Sequence, residues 1–190
     1  EMLTLTPKKP GGKIGLAVLN KDDQSYGYLK RISGKNQVAY SMLNEAELWA
    51  DGVENLPEEL RFRLHIGEEQ YAVRTPMTGL YNVSNCMAAL GASVFGLGLP
   101  ADEAVKALAN MPGVPGRMEA IRMGQPFEAI VDFAHTPNAL LRAIETARGR
   151  TQGRVIVAFG SAGLRDRQKR RMMPPTAIQN ADLTILTAED

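Results

Sequence analysis

Apolar positions change their period twice along this chain. From Lys13 to Pro76 they come in short runs between turn signals. "KIGLAVLN" reads as a buried strand, and "KDDQSYGYLKRI" as a helix beginning near Asp22. "NQVAYSML", "ELWADGV", "ELRFRLHIG" and "QYAVRTP" read as strands of a β-rich stretch with hairpins. From Leu80 the spacing becomes helical: Val83, Met87, Leu90, Val94 and Leu97 fall on one stripe. Gly98 and Pro100 end that helix, and "ADEAVKALANM" begins another with Ala101, Val105 and Leu108 on one side. "PGVPGR" (Pro112 to Arg117) is dense in Pro and Gly and predicts a domain boundary.

Beyond it the pattern alternates strand, helix, strand, helix, strand. "FEAIVDFA", "RVIVAFG" and "DLTILT" are near-continuous apolar runs, as a parallel sheet covered on both faces requires. "NALLRAIETARG" is a helix with Leu140, Ala143, Ile144 and Ala147 inward, and "RQKRRMMPPTAIQN" contains another. The expectation is an α/β fold in two parts, residues 1–113 and 114–190, the second with three parallel strands. The alternation stops after the third strand, and position 1 is not Met. A piece of a longer protein is therefore expected.

Composition narrows the function. Lys and Arg number 22 against 21 Asp and Glu, a formal charge of +1, which speaks against a nucleic-acid or membrane-surface role. A single cysteine, Cys86, allows no internal disulfide. No apolar run approaches the roughly 18 residues of a membrane span, and the N-terminal stretch has no signal-peptide core. A cytoplasmic protein is expected.

Ligands of open parallel sheets bind beyond the carboxyl ends of the strands. Asp132, His135 and Thr136 follow the first of the three strands. Gly160, Ser161, Gly163 and Arg165 follow the second, and Thr187, Glu189 and Asp190 the third. Parallel strands would bring all of these to one rim. Each has a structural reading too. Asp132 could cap a helix or pair with an arginine, and His135 could begin a helix. Thr136 before Pro137 fits an N-cap with proline at the first helical position. In "FGSAGLRDRQKRRMMP" the glycines let backbone N–H groups face an anion. Arg165 can clamp a carboxylate with two parallel bonds. Lys169 and Arg170 are weaker candidates; Arg167 and Arg171 read as solvated. On the first long helix Asn82, Asn85 and Ala89 share a side away from the apolar stripe. Asn85 suits the edge of a purine, whereas Asn82 reads as a cap. Arg117, after Gly116, can reach ribose or phosphate, or bridge two domains.

The segments "YNVSNCMAALGAS", "PGRMEAI", "IVDFAHTPNAL", "FGSAGLRDRQKRRMM" and "ADLTILTAED" together resemble the Mur ligases, on the branch that adds the third residue of the peptidoglycan stem peptide. "AVLNKDD" resembles the asparagine–aspartate segment late in that family's central domain. The resemblance covers almost all of Leu16 to Asp190. It implies the end of an ATPase central domain followed by the start of a Rossmann-like, amino-acid-binding domain. By position it implies that Asn85 and Asn82 contact adenine, that Arg117 and Asp132 hold ribose and nucleotide, and that His135 lies by the phosphates in a catalytic place. Ser161, Arg165 and Lys169 would meet the incoming substrate. The implied reaction uses ATP and Mg²⁺ to make an acyl phosphate on UDP-N-acetylmuramoyl-dipeptide, which the amine of an amino acid attacks. A monomer is expected.

Three departures stand beside these matches. The chain has no G-x-x-x-x-G-K-[ST] phosphate loop. Asn138 stands where the family commonly has Asp, and Leu164 where many members have Asp. The chain by itself is expected not to turn over ATP, and no metal ligand is assigned within it. A folylpolyglutamate-type ligase and a non-catalytic nucleotide-binding module are the rival readings.

Overall fold

The computed structural model describes residues 15–160 and 167–188, and in the first turn of the last helix (167–169) the backbone only. The chain forms two compact units, Glu1–Pro112 and Gly113–Asp190.

The first unit is built on a five-stranded sheet in the order β1-β2-β3-β4-β5. Its strands are β1 (Ala17–Asn20), β2 (Gln37–Ser41), β3 (Leu48–Asn55), β4 (Leu60–Ile66) and β5 (Glu69–Thr75). β1, β2 and β3 run parallel, and β3, β4 and β5 form an antiparallel meander. β2 and β3 share only Tyr40↔Leu48 and Ser41↔Trp49, so β3 carries on where β2 ends, one strand over. In β4 every second residue is buried: Leu60, Phe62 and Leu64 face the core, whereas Arg61 and Arg63 face outward.

The helix expected near Asp22 begins later, as α1 (Tyr26–Ile32). Asp22 and Asp23 are occupied elsewhere. Asp23 accepts the backbone N–H of Ser25 at 2.8 Å and closes a local turn. Asp22 accepts from the Ser41 hydroxyl and, at 2.7 Å, from the N–H of Met42. Short polar side chains that bond nearby backbone compete with the helix in this way.

The helical stripe is seen in α2 (Tyr81–Gly91), where Val83, Cys86, Met87 and Leu90 are buried against the sheet. A Cβ on Gly91 would stand 2.9 Å from Val18 Cγ1, so glycine there lets α2 approach β1. The helix then loosens into a π-turn, Ala92–Gly96. The wider turn shifts the stripe: Val94 remains packed on the core, but Leu97, expected inward, is 68% exposed. Helix α3 (Ala101–Ala109) buries Ala104, Val105 and Leu108.

The second unit contains two two-stranded sheets and two helices. β6 (Glu119–Ile121) and β7 (Ala129–Val131) pair antiparallel; β8 (Ile156–Phe159) and β9 (Leu183–Leu186) pair parallel. Helices α4 (Pro137–Arg148) and α5 (Arg167–Asn180) pack together, with Leu140, Ile144, Val155, Met173 and Ala177 as the core. The expected three-strand parallel sheet is thus corrected in one member. β8 and β9 are parallel neighbours, but β7 bonds to β6, a strand the hydrophobic pattern did not single out. The reason is proximity along the chain. Only residues 122–128 separate β6 from β7, with Gly124 at φ +83° in the turn, so this pairing closes a short loop. A cavity of about 450 Å³ lies in this unit, bordered by Phe127, Ile130 and Asp132 on one side and by Ile156 and Val157 on the other.

Candidate functional site

The candidate residues fall into three groups. Asn82 and Asn85 lie on α2 in the first unit. Arg117, Asp132 and His135 lie in the second. Ser161 and Arg165, with Gly163, Glu189 and Asp190, fall outside the described residues. Lys169 is carried by the first turn of α5, and its side chain is also outside the description.

On α2 the two asparagines form a relay. Asn82 is buried and donates its amide N–H to the carbonyl of Thr78 at 2.7 Å. Its own side-chain carbonyl accepts from the Asn85 amide at 2.9 Å. The capping role expected for Asn82 is corrected: Leu80 is the N-cap and no side chain accepts there. Asn82 instead anchors Asn85, which is exposed and whose carbonyl oxygen, among the described residues, is a spare acceptor. Ala89, also exposed, lies one turn on and adds little bulk.

Near this helix start, the "AVLNKDD" segment builds a polar network at the carboxyl ends of β1 and β2. Asn20 donates to the Ser84 hydroxyl at 3.5 Å, and that hydroxyl donates to Tyr40 Oη at 3.4 Å. The Lys21 ammonium donates to the carbonyl of Glu45 at 2.6 Å. Ser41, fixed by Asp22, in turn accepts the N–H groups of Leu43 at 3.1 Å and Asn44 at 2.9 Å. Asp22 thus organises the β2–β3 connection.

In the second unit a tight clasp joins the segment after Gly116 to the end of β7. Asp132 accepts the N–H of Met118 at 2.9 Å. Phe133 donates its N–H to the carbonyl of Gly116 at 2.7 Å. Glu119 accepts the N–H of Gly116 at 2.7 Å. The clasp holds Met118 at φ +47°, a conformation costly for a side-chain-bearing residue. Met118 is nonetheless 5% exposed, so burial accompanies the strain. The guanidinium of Arg117 lies 5.0 Å from the centre of the Phe133 ring. The His135 ring packs 4.9 Å from the same ring, and its Nδ1 is 3.1 Å from the Phe133 carbonyl. Phe133 was not among the residues singled out from the sequence. An aromatic between a carboxylate and a histidine at a strand end was the available signal.

Thr136 takes the structural role expected of it. Its hydroxyl accepts the N–H of Ala139 at 3.2 Å, with Pro137 next at the helix start. Asp182 fixes the start of β9. It accepts the N–H of Val155 at 2.7 Å and pairs with Arg148 at 2.6 Å, and these hold its carboxyl below the ordinary aspartate value. Burial pushes the Cys86 thiol up to about 11. Trp49 and His65 stack at 3.6 Å on the outer face of β3 and β4, with Asp51 3.2 Å from the imidazole. Among the described residues no group of three or more His, Cys, Asp or Glu is placed to hold a metal ion. Among them, too, no helix is long and apolar enough to cross a membrane.

Comparison with known proteins gives this geometry its context. Residues 5–93 match the family model described as the Mur ligase middle domain. Residues 116–190 match that described as Mur ligase, glutamate ligase domain. A UDP-N-acetylmuramoyl-L-alanyl-D-glutamate--2,6-diaminopimelate ligase of Solibacter usitatus (strain Ellin6076) is 37% identical over 180 residues, 95% of this chain and 36% of its own length. A UDP-N-acetylmuramyl-tripeptide synthetase of Roseiflexus sp. (strain RS-1) is 38% identical over 177 residues, 92% of this chain and 35% of its own. A solved structure of a diaminopimelate-adding ligase of the first name superposes with a TM-score of 0.63 at 30% identity, over 92% of this chain and 37% of that one. The chain therefore spans about a third of the length of these relatives. Two domain matches in succession, reaching both compact units, show that this chain belongs to the Mur ligase family.

Proposed function

We propose that this chain is the middle-to-late part of an ATP-dependent ligase that adds the third amino acid to UDP-N-acetylmuramoyl-dipeptide. One observation carries the reading: both the middle-domain and the glutamate-ligase-domain segments align, in order, with relatives named for that step. In such a reaction a carboxylate of the nucleotide-linked peptide attacks the terminal phosphorus of ATP, giving an acyl phosphate and ADP. The amine of the amino acid then attacks the acyl carbon and releases phosphate. Little of this needs covalent chemistry from the protein, so positioning and charge neutralisation dominate.

The residues present suit the nucleotide side of that task. Adenine offers an exocyclic amine, a donor, and the spare carbonyl oxygen of Asn85 is an acceptor held in place by Asn82. Ala89 leaves room for a flat ring. Arg117 and Asp132 would meet ribose hydroxyls and the nucleotide, and His135 would lie toward the phosphates. Ser161, Arg165 and Lys169 would meet the incoming amino acid, Arg165 through its carboxylate. Mg²⁺ would neutralise phosphate charge, and none of the described residues is assigned to hold it.

The test is activity of the full-length protein. UDP-N-acetylmuramoyl-dipeptide with diaminopimelate or lysine should give a tripeptide and ADP, and a folate acceptor should give no product. Product from folate alone would transfer the protein to the folylpolyglutamate type. Arg165→Ala should raise the Michaelis constant for the amino acid well above ten-fold while moving that for ATP less than two-fold, on the order expected for losing a charged clamp. The opposite split would remove Arg165 from that role.

A further inference from the structure

We propose that Phe133 is a positioning residue, whose ring sets the directions of Arg117 and His135 toward the nucleotide. The proposal deepens the function above and rests on its reading of Arg117 as a nucleotide-side group. Phe133 is 60% exposed, so it has no core to fill. Its backbone is nevertheless fixed at both polar groups: the N–H bonds to Gly116 at 2.7 Å, and the carbonyl meets His135 Nδ1 at 3.1 Å. Asp132, one residue before, is clasped to Met118, one residue after Arg117. Ring and guanidinium therefore stand on two backbone segments tied together on either side.

Arg117 is exposed, and among the described residues its guanidinium has no ion pair or hydrogen bond. The Phe133 face, 5.0 Å away, is what restrains it. Such a contact leaves every N–H of the guanidinium available to oxygen ligands, which a carboxylate partner would not. The same ring supports His135 at 4.9 Å with a 53° tilt. A long side chain that is already aimed loses less freedom when ligand arrives, so affinity rises without any contact from Phe133 itself.

Two measurements test this. The first is the chemical shift of the Arg117 side-chain protons in this chain, by selective labelling. Ring-current displacement should be present, lost in Phe133→Leu and kept in Phe133→Tyr. Undisplaced shifts in the unsubstituted protein would overturn the proposal. The second is ATP affinity of the full-length ligase by calorimetry. Phe133→Leu should weaken binding about two- to five-fold, the scale of an exposed cation–ring contact, and Phe133→Tyr should restore it. In an Arg117→Ala background Phe133→Leu should have a smaller effect, the remainder acting through His135, and in an Arg117→Ala/His135→Ala background no further effect. Should Arg117→Ala weaken binding while Phe133→Leu does not, the positioning role falls and the reading of Arg117 stands. Should Arg117→Ala itself change nothing, both fall.

Discussion

Asp22 and Asp132 do similar work with single carboxylates. Each follows or ends a strand and accepts the backbone N–H of a residue distant in sequence, Met42 and Met118. Removing such an acceptor strands a donor and costs about 1.5–3 kcal/mol for a charged partner. Asp22→Ala should therefore lower the stability of the first unit by about 2 kcal/mol in chemical denaturation. Asp132 allows a finer separation. In Asp132→Asn the side-chain oxygen can still accept from Met118, so stability should change by less than about 1 kcal/mol while ATP affinity of the full-length ligase drops. Asp132→Ala should lose both. Equal stability losses in the two variants would show that charge, not the hydrogen bond, holds the clasp. Asp132 was legible in the sequence as a carboxylate after an apolar run. Its partner Met118 was not, because a backbone N–H leaves no mark on residue identity.

Among the elements, the helices were the most legible. The N-cap of α4 follows from Thr136 and Pro137 alone, and Thr136→Ala should cost about 1 kcal/mol, with Thr136→Ser restoring most of it by thermal melting. The start of α1 was misplaced because Asp22 and Asp23 bond to loops. The end of the α2 stripe was misplaced because the π-turn changes the period that the stripe assumed. At β9 the prediction concerns pH. The Asp182 carboxyl is held low first by the Val155 N–H and then by Arg148. A carboxylate with a depressed folded value stabilises above its unfolded value, near about 4, and loses that contribution as pH falls through the folded one. The unsubstituted protein should thus lose stability more steeply below about pH 4 than Asp182→Asn. Parallel acid unfolding of the two would contradict this.

For the molecule as a whole, family membership follows from two domain matches, and the chain spans about a third of the length of the relatives it matches. The sequence has no G-x-x-x-x-G-K-[ST] loop, the element whose backbone and lysine cradle the phosphates in such enzymes. The isolated chain should therefore bind ATP weakly, and submicromolar affinity by calorimetry would contradict the assignment of this segment to the adenine and ribose side. The sequence by itself determined most stretches of helix and strand, β6 and the start of α1 excepted, together with the α/β class, the Thr136 cap and the family. Those follow from local periodicity and from motifs, which are properties of neighbouring residues. Only the tertiary structure decided that β7 pairs with β6, that Asn82 braces Asn85, and that Phe133 stands beneath Arg117. Each of these joins a hydrogen-bonding group or a ring to a partner chosen by chain path, and many partners satisfy the same residue equally well until the fold selects one.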